Sequence, residues 1–339
     1  MSLNDFSGKI LLFFTEDNFM QLPELLQQAI EEEMAHRSLQ AISEASSHLS
    51  DRYKKGISSD RFILSEYDRF AYILSRMPAT FSAIFHVLKE LQYRTPDFHP
   101  GSFLDLGAGP GTGLWASSVL FSSIHQFEAW EYDEKFMMLG KKLARENMRL
   151  SQVQWKLRNF AIDRDLPLSD LVLLSYSIGE IEEKFWGPFL HEVWDKVQST
   201  LVIIEPGTPA GYARILKIRD QLIQQGALLI APCPHMGNCP LKGPDWCHFF
   251  ARVERSSLHR KVKNAVLNYE DEKFSYLIFS KEPKVQSFSS RLLRHPQIFK
   301  GHLKLSLCRQ DGQIQEQVVS KKDNSFYKLS RKLDWGDCF

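Results

Sequence analysis

The sequence predicts an α/β protein with a mostly parallel central sheet, an N-terminal helical domain and a small C-terminal β extension. Short apolar runs alternate with longer amphipathic ones between residues 96 and 285, as in strands covered by helices on both faces. Residues 1–95 instead carry apolar side chains at helical spacing. Residues 286–339 alternate apolar and polar positions around a turn at Asp311-Gly312, which predicts a β-hairpin.

The composition is that of a folded protein without a membrane span. The chain has 339 residues, of which 43% are hydrophobic and 24% charged, enough for a sizeable core. No apolar run is long enough to cross a bilayer. The first residues, MSLNDFSGKILLFF, show neither the pattern of a secretory signal nor the Arg-rich composition of a transit peptide. We therefore expect a cytoplasmic protein, in which five cysteines favour metal or redox chemistry over a disulfide framework.

The N-terminal domain, residues 1–95, is predicted to contain helical hairpins. The stretch LPELLQQAIEEEMAHRSLQAI has a proline near its first turn and apolar residues at helical spacing. A second stretch, RFILSEYDRFAYILSRMPATFSAIFHVLKELQY, continues the pattern. The pair Met77-Pro78 predicts a break within it, because the residue before a proline disfavours the helical conformation.

The central domain, residues 96–285, is predicted to alternate strands and helices. Its strand candidates are SFLDL, FEAWEY, DLVLLSYS, TLVIIEPG, ALLIAPCP and FSYLIFSK. Amphipathic stretches separate most of them, and one has Thr208 as a possible N-cap, Pro209 at the first helical position and Gly226 just past its end. This order indicates a sheet with helices on both faces.

A glycine-rich loop after the first predicted strand indicates a nucleotide-like ligand. In FLDLGAGPGTGLWA, Gly107, Gly109 and Gly111 let the backbone approach a ligand closely, and the next helix offers unpaired N–H groups. Asp105 precedes the loop. Glu131 ends the following strand, where a carboxylate can bind the two hydroxyls of a ribose.

The pattern D-L-G-x-G-x-G resembles the first motif of class I S-adenosylmethionine (SAM) methyltransferases. The dinucleotide pattern G-x-G-x-x-G is not met, because its third glycine position is Thr112. Asn159, after the third strand, is the candidate adenine contact. The loop Ser175–Glu180 lacks the Asn/Asp-Pro-Pro-Tyr motif of amino-methyltransferases. The catalytic residues therefore stay unknown.

The stretch APCPHMGNCPLKGPDWCHF holds three of the five cysteines among four prolines. Structural zinc normally uses two close pairs of ligands, and no such pair occurs here. A loose row of three cysteines with one distant cysteine suits the four corners of a cubic iron–sulfur cluster better. Zinc is the alternative, with His235 or His248 replacing a cysteine. The row is Cys233, Cys239 and Cys247, while Cys308 lies in the predicted hairpin and Cys338 is next to last.

The C-terminal quarter is basic, although the whole chain has a net charge of only +1. Residues 251–339 carry 18 Lys+Arg against 10 Asp+Glu, whereas residues 1–250 carry 24 against 31. Such an asymmetry indicates a surface for a polyanion. The candidate RNA contacts follow the third cysteine of the row and would bind phosphates without reading sequence. They are Arg255, Arg260, Lys261 and Lys263.

Several stretches taken in order resemble the ribosomal small-subunit methyltransferase-like family, the Rsm-type family, whose mitochondrial members are assembly factors. These stretches are DLGAGPGTGLWA, EPGTPAGYARI, APCPHMGNCPL, DWCHF and YEDEKFSYLIFSK. The resemblance implies a SAM-type domain with cofactor contacts at the glycine loop and Glu131. It also implies a 4Fe–4S cluster on four cysteines, which here are Cys233, Cys239, Cys247 and Cys308. Residues 231–265 would then form a cluster-binding insertion clamped by Cys308.

The resemblance implies a SAM-dependent methyltransferase that acts on or assembles the small ribosomal subunit and binds its rRNA. The alternative is a catalytically inactive assembly factor that uses SAM and the cluster structurally. Because no transit peptide is recognised, a bacterial-type member is expected. We also expect a monomer with no membrane partner.

Overall fold

The computed structural model describes residues 20–54, 63, 65–241, 243–281 and 285–339, with backbone alone at 50–54. The N-terminal stretch examined above for a targeting signal lies outside these residues. Within the described part of the chain, no helix has the length and apolar character that a membrane crossing requires.

In the part of the chain that the structure describes, four helices precede the sheet. α3 begins with a capping box, in which the Ser65 hydroxyl accepts from the Asp68 N–H and the Asp68 carboxylate accepts from the Ser65 N–H. The chain enters α4 at the predicted break, with Pro78 in the first turn, where a missing N–H loses no helical partner. The helices are α1 (Glu24–Met34), α2 (Leu39–Lys54), α3 (Glu66–Ser75) and α4 (Met77–Arg94).

Among the described residues, the central sheet has eight strands in the order β3-β2-β1-β4-β5-β8-β6, with β7 paired to β8. Strands β1 to β5 run parallel, and β8 is antiparallel to both β5 and β6. One reversed strand between the fifth and sixth is the arrangement of class I SAM methyltransferases, so the predicted fold class is confirmed. The strands are β1 (Ser102–Leu106), β2 (Gln126–Glu131), β3 (Gln154–Leu157), β4 (Ser169–Ser175), β5 (Val197–Pro206), β6 (Leu228–Ala231), β7 (Phe249–Glu254) and β8 (Tyr269–Ser280).

Helices connect the strands and cover the sheet. The α8 boundaries agree with the predicted signals, since the Thr208 hydroxyl accepts from the Gly211 N–H at 3.1 Å and Gly226 has φ +84° just past the end. The helices are α5 (Thr112–Leu120), α6 (Glu134–Leu143), α7 (Trp186–Lys196), α8 (Pro209–Gln224) and α9 (Ser257–Lys263).

Two hydrophobic cores lie on opposite faces of the sheet because successive strand residues point to opposite sides. Phe103 and Leu171 pack on the face covered by α4 and α5, whereas Leu104 and Val172 pack on the face covered by α7 and α8. The first core continues without interruption into α1, α2 and α3. The N-terminal helices therefore share a core with the sheet.

The C-terminal extension is a four-stranded antiparallel sheet with one helix. Its strand order is β10-β11-β12, with β9 paired to β11. The predicted hairpin is β11 and β12, and Gly312 at its turn has φ +79°. The extension has a hydrophobic cluster of its own that includes Leu305 and Tyr327. Its elements are β9 (Ser290–Leu292), β10 (Gln297–Phe299), β11 (His302–Arg309), β12 (Ile314–Ser320) and α10 (Asn324–Ser330).

A buried ionic network joins the extension to α4. The Glu90 carboxylate on α4 accepts from the guanidinium groups of Arg94 and Arg291 and from the Tyr276 hydroxyl. All four residues are at most 2% exposed. Burial opposes ionisation of Glu90, but Arg291 and Arg94 outweigh it and lower the pKa of the carboxyl below its ordinary value. The network depends on this one carboxylate.

We predict that Glu90→Gln lowers the free energy of unfolding by about 3–5 kcal/mol, because two buried guanidinium groups lose their counter-charge. Urea denaturation at neutral pH measures the change. The control is Glu66→Gln, which breaks an exposed ion pair with Arg37 and is expected to cost less than about 1 kcal/mol. Equal effects of the two variants would contradict the role assigned to Glu90.

The same network makes the free energy of unfolding depend on pH. Because the folded-state pKa of Glu90 is lowered, its stabilisation is present above the pKa of an unfolded glutamate. That stabilisation is lost as the pH falls through the lowered folded value. The difference in unfolding free energy between the wild type and Glu90→Gln should therefore shrink on acidification.

Candidate functional site

The glycine loop after β1 adopts a backbone that favours glycine. Gly107, Gly109 and Gly111 have φ values of +79°, +55° and +86°. A Cβ on Gly107 would lie 2.7 Å from the Cβ of Ser177, so this glycine allows the loop after β4 to pack closely. A Cβ on Gly109 would meet nothing within 4 Å. Gly109 therefore borders open space at the carboxyl edge of the sheet, where folds of this type bind ligands.

Two buried carboxyl groups, Asp105 and Glu131, stand beside the loop. Glu131 accepts the N–H of Gly109 at 2.7 Å on one oxygen and the N–H of Asp133 at 2.8 Å on the other. Each oxygen keeps a second lone pair that can accept from a sugar hydroxyl. Burial, and then the charge of Glu131, raises the pKa of Asp105 to about 8. Asp105 is therefore largely protonated at neutral pH.

Asn159 lies just past β3, as expected, but its side-chain oxygen is already engaged. It accepts the N–H of Ala161 at 3.0 Å, and the Asn159 N–H donates to the Asp163 carboxylate at 2.7 Å. These contacts form a local turn that asparagine favours. The adenine contact stays a prediction, with the side-chain amide nitrogen as the group that could make it.

The loop after β4 contains a tyrosine in a left-handed conformation. Tyr176 has φ +58°, and its hydroxyl donates to the Glu272 carboxylate at 3.1 Å. Arg76 binds the same carboxylate through two contacts of 3.1 and 3.2 Å. Burial, followed by the Glu272 charge, raises the pKa of Tyr176 well above its ordinary value, so the hydroxyl stays protonated. Sequence reasoning missed this group because 196 residues separate Arg76 from Glu272.

The four predicted cysteine ligands line one cavity between α8, β8 and the C-terminal extension. The Tyr212 hydroxyl lies 3.1 Å from the Cys239 sulfur, and the His235 ring lies 3.5 Å from the Cys308 sulfur. The fifth cysteine, Cys338, instead accepts a hydrogen bond from Arg94 at 2.7 Å. The cysteines that line the cavity are Cys233, Cys239, Cys247 and Cys308.

Two buried arginines form part of the cavity wall. Arg219 on α8 donates to the carbonyls of His235 and Gly237 at 3.2 and 2.6 Å, and Arg291 on β9 donates to the carbonyl of Pro232 at 2.9 Å. Both side chains are 2% exposed. They hold the cysteine loop from two sides and place positive charge beside the thiols. Neither arginine had a recognisable signal in the sequence.

Burial keeps the Cys247 and Cys308 thiols neutral by raising the pKa of each. Burial, then the charges of Cys233 and Cys239, raises the pKa of Cys247 well above its ordinary value. Burial and the neighbouring thiols raise the pKa of Cys308 to about 12. Cysteines bind a cluster or a metal ion as thiolates. The positive charge of the bound iron or zinc would therefore have to stabilise the deprotonated thiols.

Among the described residues, no group of three or more His, Cys, Asp or Glu side chains is placed to hold a metal ion. Convergence on one cavity therefore does not by itself demonstrate an iron–sulfur or zinc site. Both remain predictions, as does a cluster-binding role for residues 231–265, which also contain β7 and α9.

The predicted RNA contacts divide into two pairs. Arg255 and Lys263 donate to the Glu270 carboxylate at 2.7 and 2.6 Å and are largely buried. Arg260 and Lys261 are exposed on α9. Half of the predicted patch therefore has an intramolecular counter-charge.

Comparison with known proteins identifies relatives across most of the chain. The human mitochondrial ribosome assembly protein METTL17 is 24% identical over 348 residues, covering 95% of this chain and 71% of that protein. The mitochondrial Rsm22-cox11 tandem protein 2 of Schizosaccharomyces pombe is 26% identical, covering 79% of this chain and 42% of that protein. The mitochondrial ribosome assembly protein RSM22 of Saccharomyces cerevisiae is 22% identical, covering 79% and 66%.

These relatives correct the expected localisation. The cytoplasmic prediction is wrong, because the relatives found are mitochondrial proteins. The prediction relied on the composition of the first residues. Targeting signals are read by receptors and impose no pattern on the fold, so composition is a weak guide to localisation.

Among solved structures, the chain is similar to a putative RNA methyltransferase from Pyrococcus horikoshii. The two are 15% identical with a TM-score of 0.38, over 59% of this chain and 82% of that chain. It is also similar to the N-methyltransferase NodS of Bradyrhizobium japonicum in complex with S-adenosyl-L-homocysteine. That pair is 10% identical with a TM-score of 0.37, over 58% and 87%.

A family match covers the sheet, the cysteine cavity and the C-terminal extension together. The family described as mitochondrial small ribosomal subunit Rsm22 matches residues 66–339. This range runs from the start of α3 to the last residue and includes the glycine loop and all five cysteines. The chain belongs to the Rsm22 family.

Proposed function

We propose that this protein is an assembly factor of the small ribosomal subunit that binds SAM, a 4Fe–4S cluster and rRNA. The family match and relatives named as ribosome assembly proteins support the partner. The observation that carries the cluster assignment is the convergence of four cysteines, from two separated stretches of chain, on one cavity.

The chemistry of the donors fits a cluster. Thiolates are the usual ligands of iron–sulfur clusters. A zinc ion with Zn–S bonds of about 2.3 Å would require the four sulfurs to crowd around one point, an arrangement absent from the described residues. A cubic cluster places an iron at each corner and so accepts wider spacing between the sulfurs. We favour the cluster over zinc because four separate corners suit a loose row of three cysteines with one distant cysteine.

The positive charges in the wall of the cysteine cavity also fit an iron–sulfur cluster. Four thiolates around a cluster leave a net negative charge in a buried site, which is costly unless it is compensated. Arg219 and Arg291 stand in the wall of the cavity, and Arg219 lowers the pKa of Cys233 against the larger effect of burial. A bound cluster would supply a rigid crosslink between the cysteine loop and β11.

We predict that Cys308→Ala abolishes iron retention and lowers the melting temperature of the iron-loaded protein, because ligand binding is linked to folding. Anaerobic absorption spectroscopy and iron analysis measure about four iron atoms per chain in the wild type. The control is Cys338→Ser, which alters a buried cysteine outside the cavity and should keep its iron. A variant Cys308→Ala with full iron content would remove this cysteine from the ligand set.

The space beside Gly109 supports the SAM assignment. Its positive φ and the open position of an added Cβ leave room for a ligand against the backbone. Glu131 supplies an acceptor beside this space, since it already accepts the Gly109 N–H. A bound SAM would supply an electrophilic methyl group, while Glu131 would orient its ribose.

We predict that Gly109→Val weakens SAM binding at least tenfold, about 1.4 kcal/mol, because the side chain would fill the ligand space. Titration calorimetry measures the affinity. Gly226→Val is the matched control, since Gly226 has φ +84° and equally open surroundings at the end of α8. Backbone strain alone would affect both variants, so a similar loss in the two would contradict the assigned pocket.

Methyl transfer to RNA is a second candidate function. It is favoured by Tyr176, whose left-handed backbone places a half-buried side chain in the loop that faces the methyl donor in this fold. Strained residues of this kind cluster at functional sites. The alternative is an assembly factor without turnover.

Labelled SAM distinguishes the two functions. Incubation of iron-loaded protein with labelled SAM and immature small subunits should leave label in RNA if methyl transfer occurs, and Tyr176→Phe should reduce it by at least tenfold. Tight SAM binding without any transferred label would exclude the enzymatic function and leave the assembly role intact.

A further inference from the structure

We propose that the C-terminal extension carries the main RNA phosphate-binding surface, at a cavity beside α10. We name this the α10 surface. The inference rests on the proposed rRNA partner and assigns it to a different place from the patch predicted around α9. The cations of the α10 surface are Lys321, Lys328, Arg331 and Lys332.

The cavity of the α10 surface has a volume of about 740 Å³ and a wide opening. Two uncharged residues, Asn324 and Tyr327, complete its lining, and none of the lining residues is acidic. The neighbouring acid Asp323 is engaged locally, since its carboxylate accepts from the Ser320 N–H at 2.7 Å and from the Ser320 hydroxyl at 3.1 Å. The positive charge is therefore not cancelled within the cavity.

The cations of the extension are mostly unpaired. Residues 286–339 carry 10 Lys+Arg against 5 Asp+Glu. Arg291 is paired with Glu90, and Arg294 with Asp245. The other eight form no ion pair with any residue that the structure describes. They are Lys300, Lys304, Arg309, Lys321, Lys322, Lys328, Arg331 and Lys332.

In the patch predicted around α9, which we call the α9 patch, a larger share of the cations is paired. Its residues are Arg255, Arg260, Lys261 and Lys263. Arg255 and Lys263 share the Glu270 carboxylate, and to contact a phosphate each would have to give up a short ion pair. Arg252 is likewise paired with Asp271 at 2.8 Å. Counterion release, which drives binding to RNA, requires cations that are free to neutralise phosphates. The α10 surface meets that requirement better.

An exposed aromatic pair lies beside the turn between β10 and β11. The rings of Phe299 and His302 stack with centroids 4.9 Å apart and planes 8° apart, and Phe299 is 44% exposed. The Lys321 N–H donates to the Gly301 carbonyl at 2.9 Å, so this turn adjoins Lys321 through the backbone, and the Lys304 ammonium lies 5.7 Å from the centre of the Phe299 ring. Flat exposed rings next to unpaired cations are the combination that binds unpaired bases and their phosphates. An acidic protein would use the cations but has no need of the stacked rings, so the surface fits single-stranded or loop RNA.

The test compares two variants with the same change of charge. Lys328→Glu/Arg331→Glu alters the α10 surface, and Arg260→Glu/Lys261→Glu alters exposed cations of the α9 patch. Fluorescence anisotropy with a single-stranded RNA of about 16 nucleotides measures affinity across a salt series. Thermal melting and iron content check that each full-length variant is folded.

We expect the α10 variant to lose at least tenfold in RNA affinity. The slope of the logarithm of affinity against the logarithm of salt concentration (the salt slope) should become less steep by about 1.4, which is about 0.7 for each of two phosphate contacts on a single strand. The α9 variant should lose less than about threefold, through long-range repulsion alone. Phe299→Ala should weaken binding without changing the salt slope, because stacking releases no counterions.

The remaining outcomes separate this inference from the proposed function. Equal losses in the two charge variants, or a larger loss in the α9 variant, would overturn the inference while the wild type still binds RNA. A wild type that binds no RNA would contradict the rRNA partner itself. Binding to an acidic protein that is unaffected by competing RNA would also overturn the inference.

Discussion

The buried guanidinium of Arg291 is the contact on which the arrangement of the cysteine cavity depends. It pairs with Glu90 of α4, donates to the carbonyl of Pro232 beside the cysteine loop, and donates to the Gly336 carbonyl near the C-terminus at 2.7 Å. A charge buried this deeply is tolerated only when all its partners are in place. The helical region, the loop and the extension are therefore held in one relative position, and the thiols that line the cavity are brought together by that constraint.

This constraint also relates the ligand sites to one another. The glycine loop and Glu131 lie at the carboxyl edge of the sheet, whereas the cysteine cavity lies where α8 and β8 meet the extension. The extension has its own small hydrophobic cluster, but its attachment uses buried polar contacts. A group that bridges the loop and β11 would reinforce this attachment and fix the orientation of the α10 surface. Under the proposed function, cluster binding and RNA binding are thus mechanically linked.

The distribution of ion pairs explains why net charge alone is a poor guide to a binding surface. The stretch around α9 is rich in cations, yet Glu270 and Asp271 on the facing strand neutralise Arg255, Lys263 and Arg252. The extension has fewer acids in reach, and eight of its ten cations form no ion pair with any residue that the structure describes. Two stretches that look equally basic in the sequence therefore present different potentials to a polyanion.

Local patterns in the sequence were sufficient for the fold class, the boundaries of α8, the hairpin of β11 and β12, and the break before Pro78. Each of these follows from hydrophobic periodicity or from backbone preferences that act within a few residues. The four cysteines were identified as a group by their spacing and by family resemblance. Localisation was not predictable from composition, and the relatives corrected it.

The tertiary structure decided what long-range contacts determine. It placed Arg219 and Arg291 at the thiols, Glu272 at Tyr176, and Glu270 between two cations expected to contact RNA. No local pattern reports such pairs, because their members lie far apart in the chain and meet only when the sheet forms. Which charges stay free is a property of the folded surface.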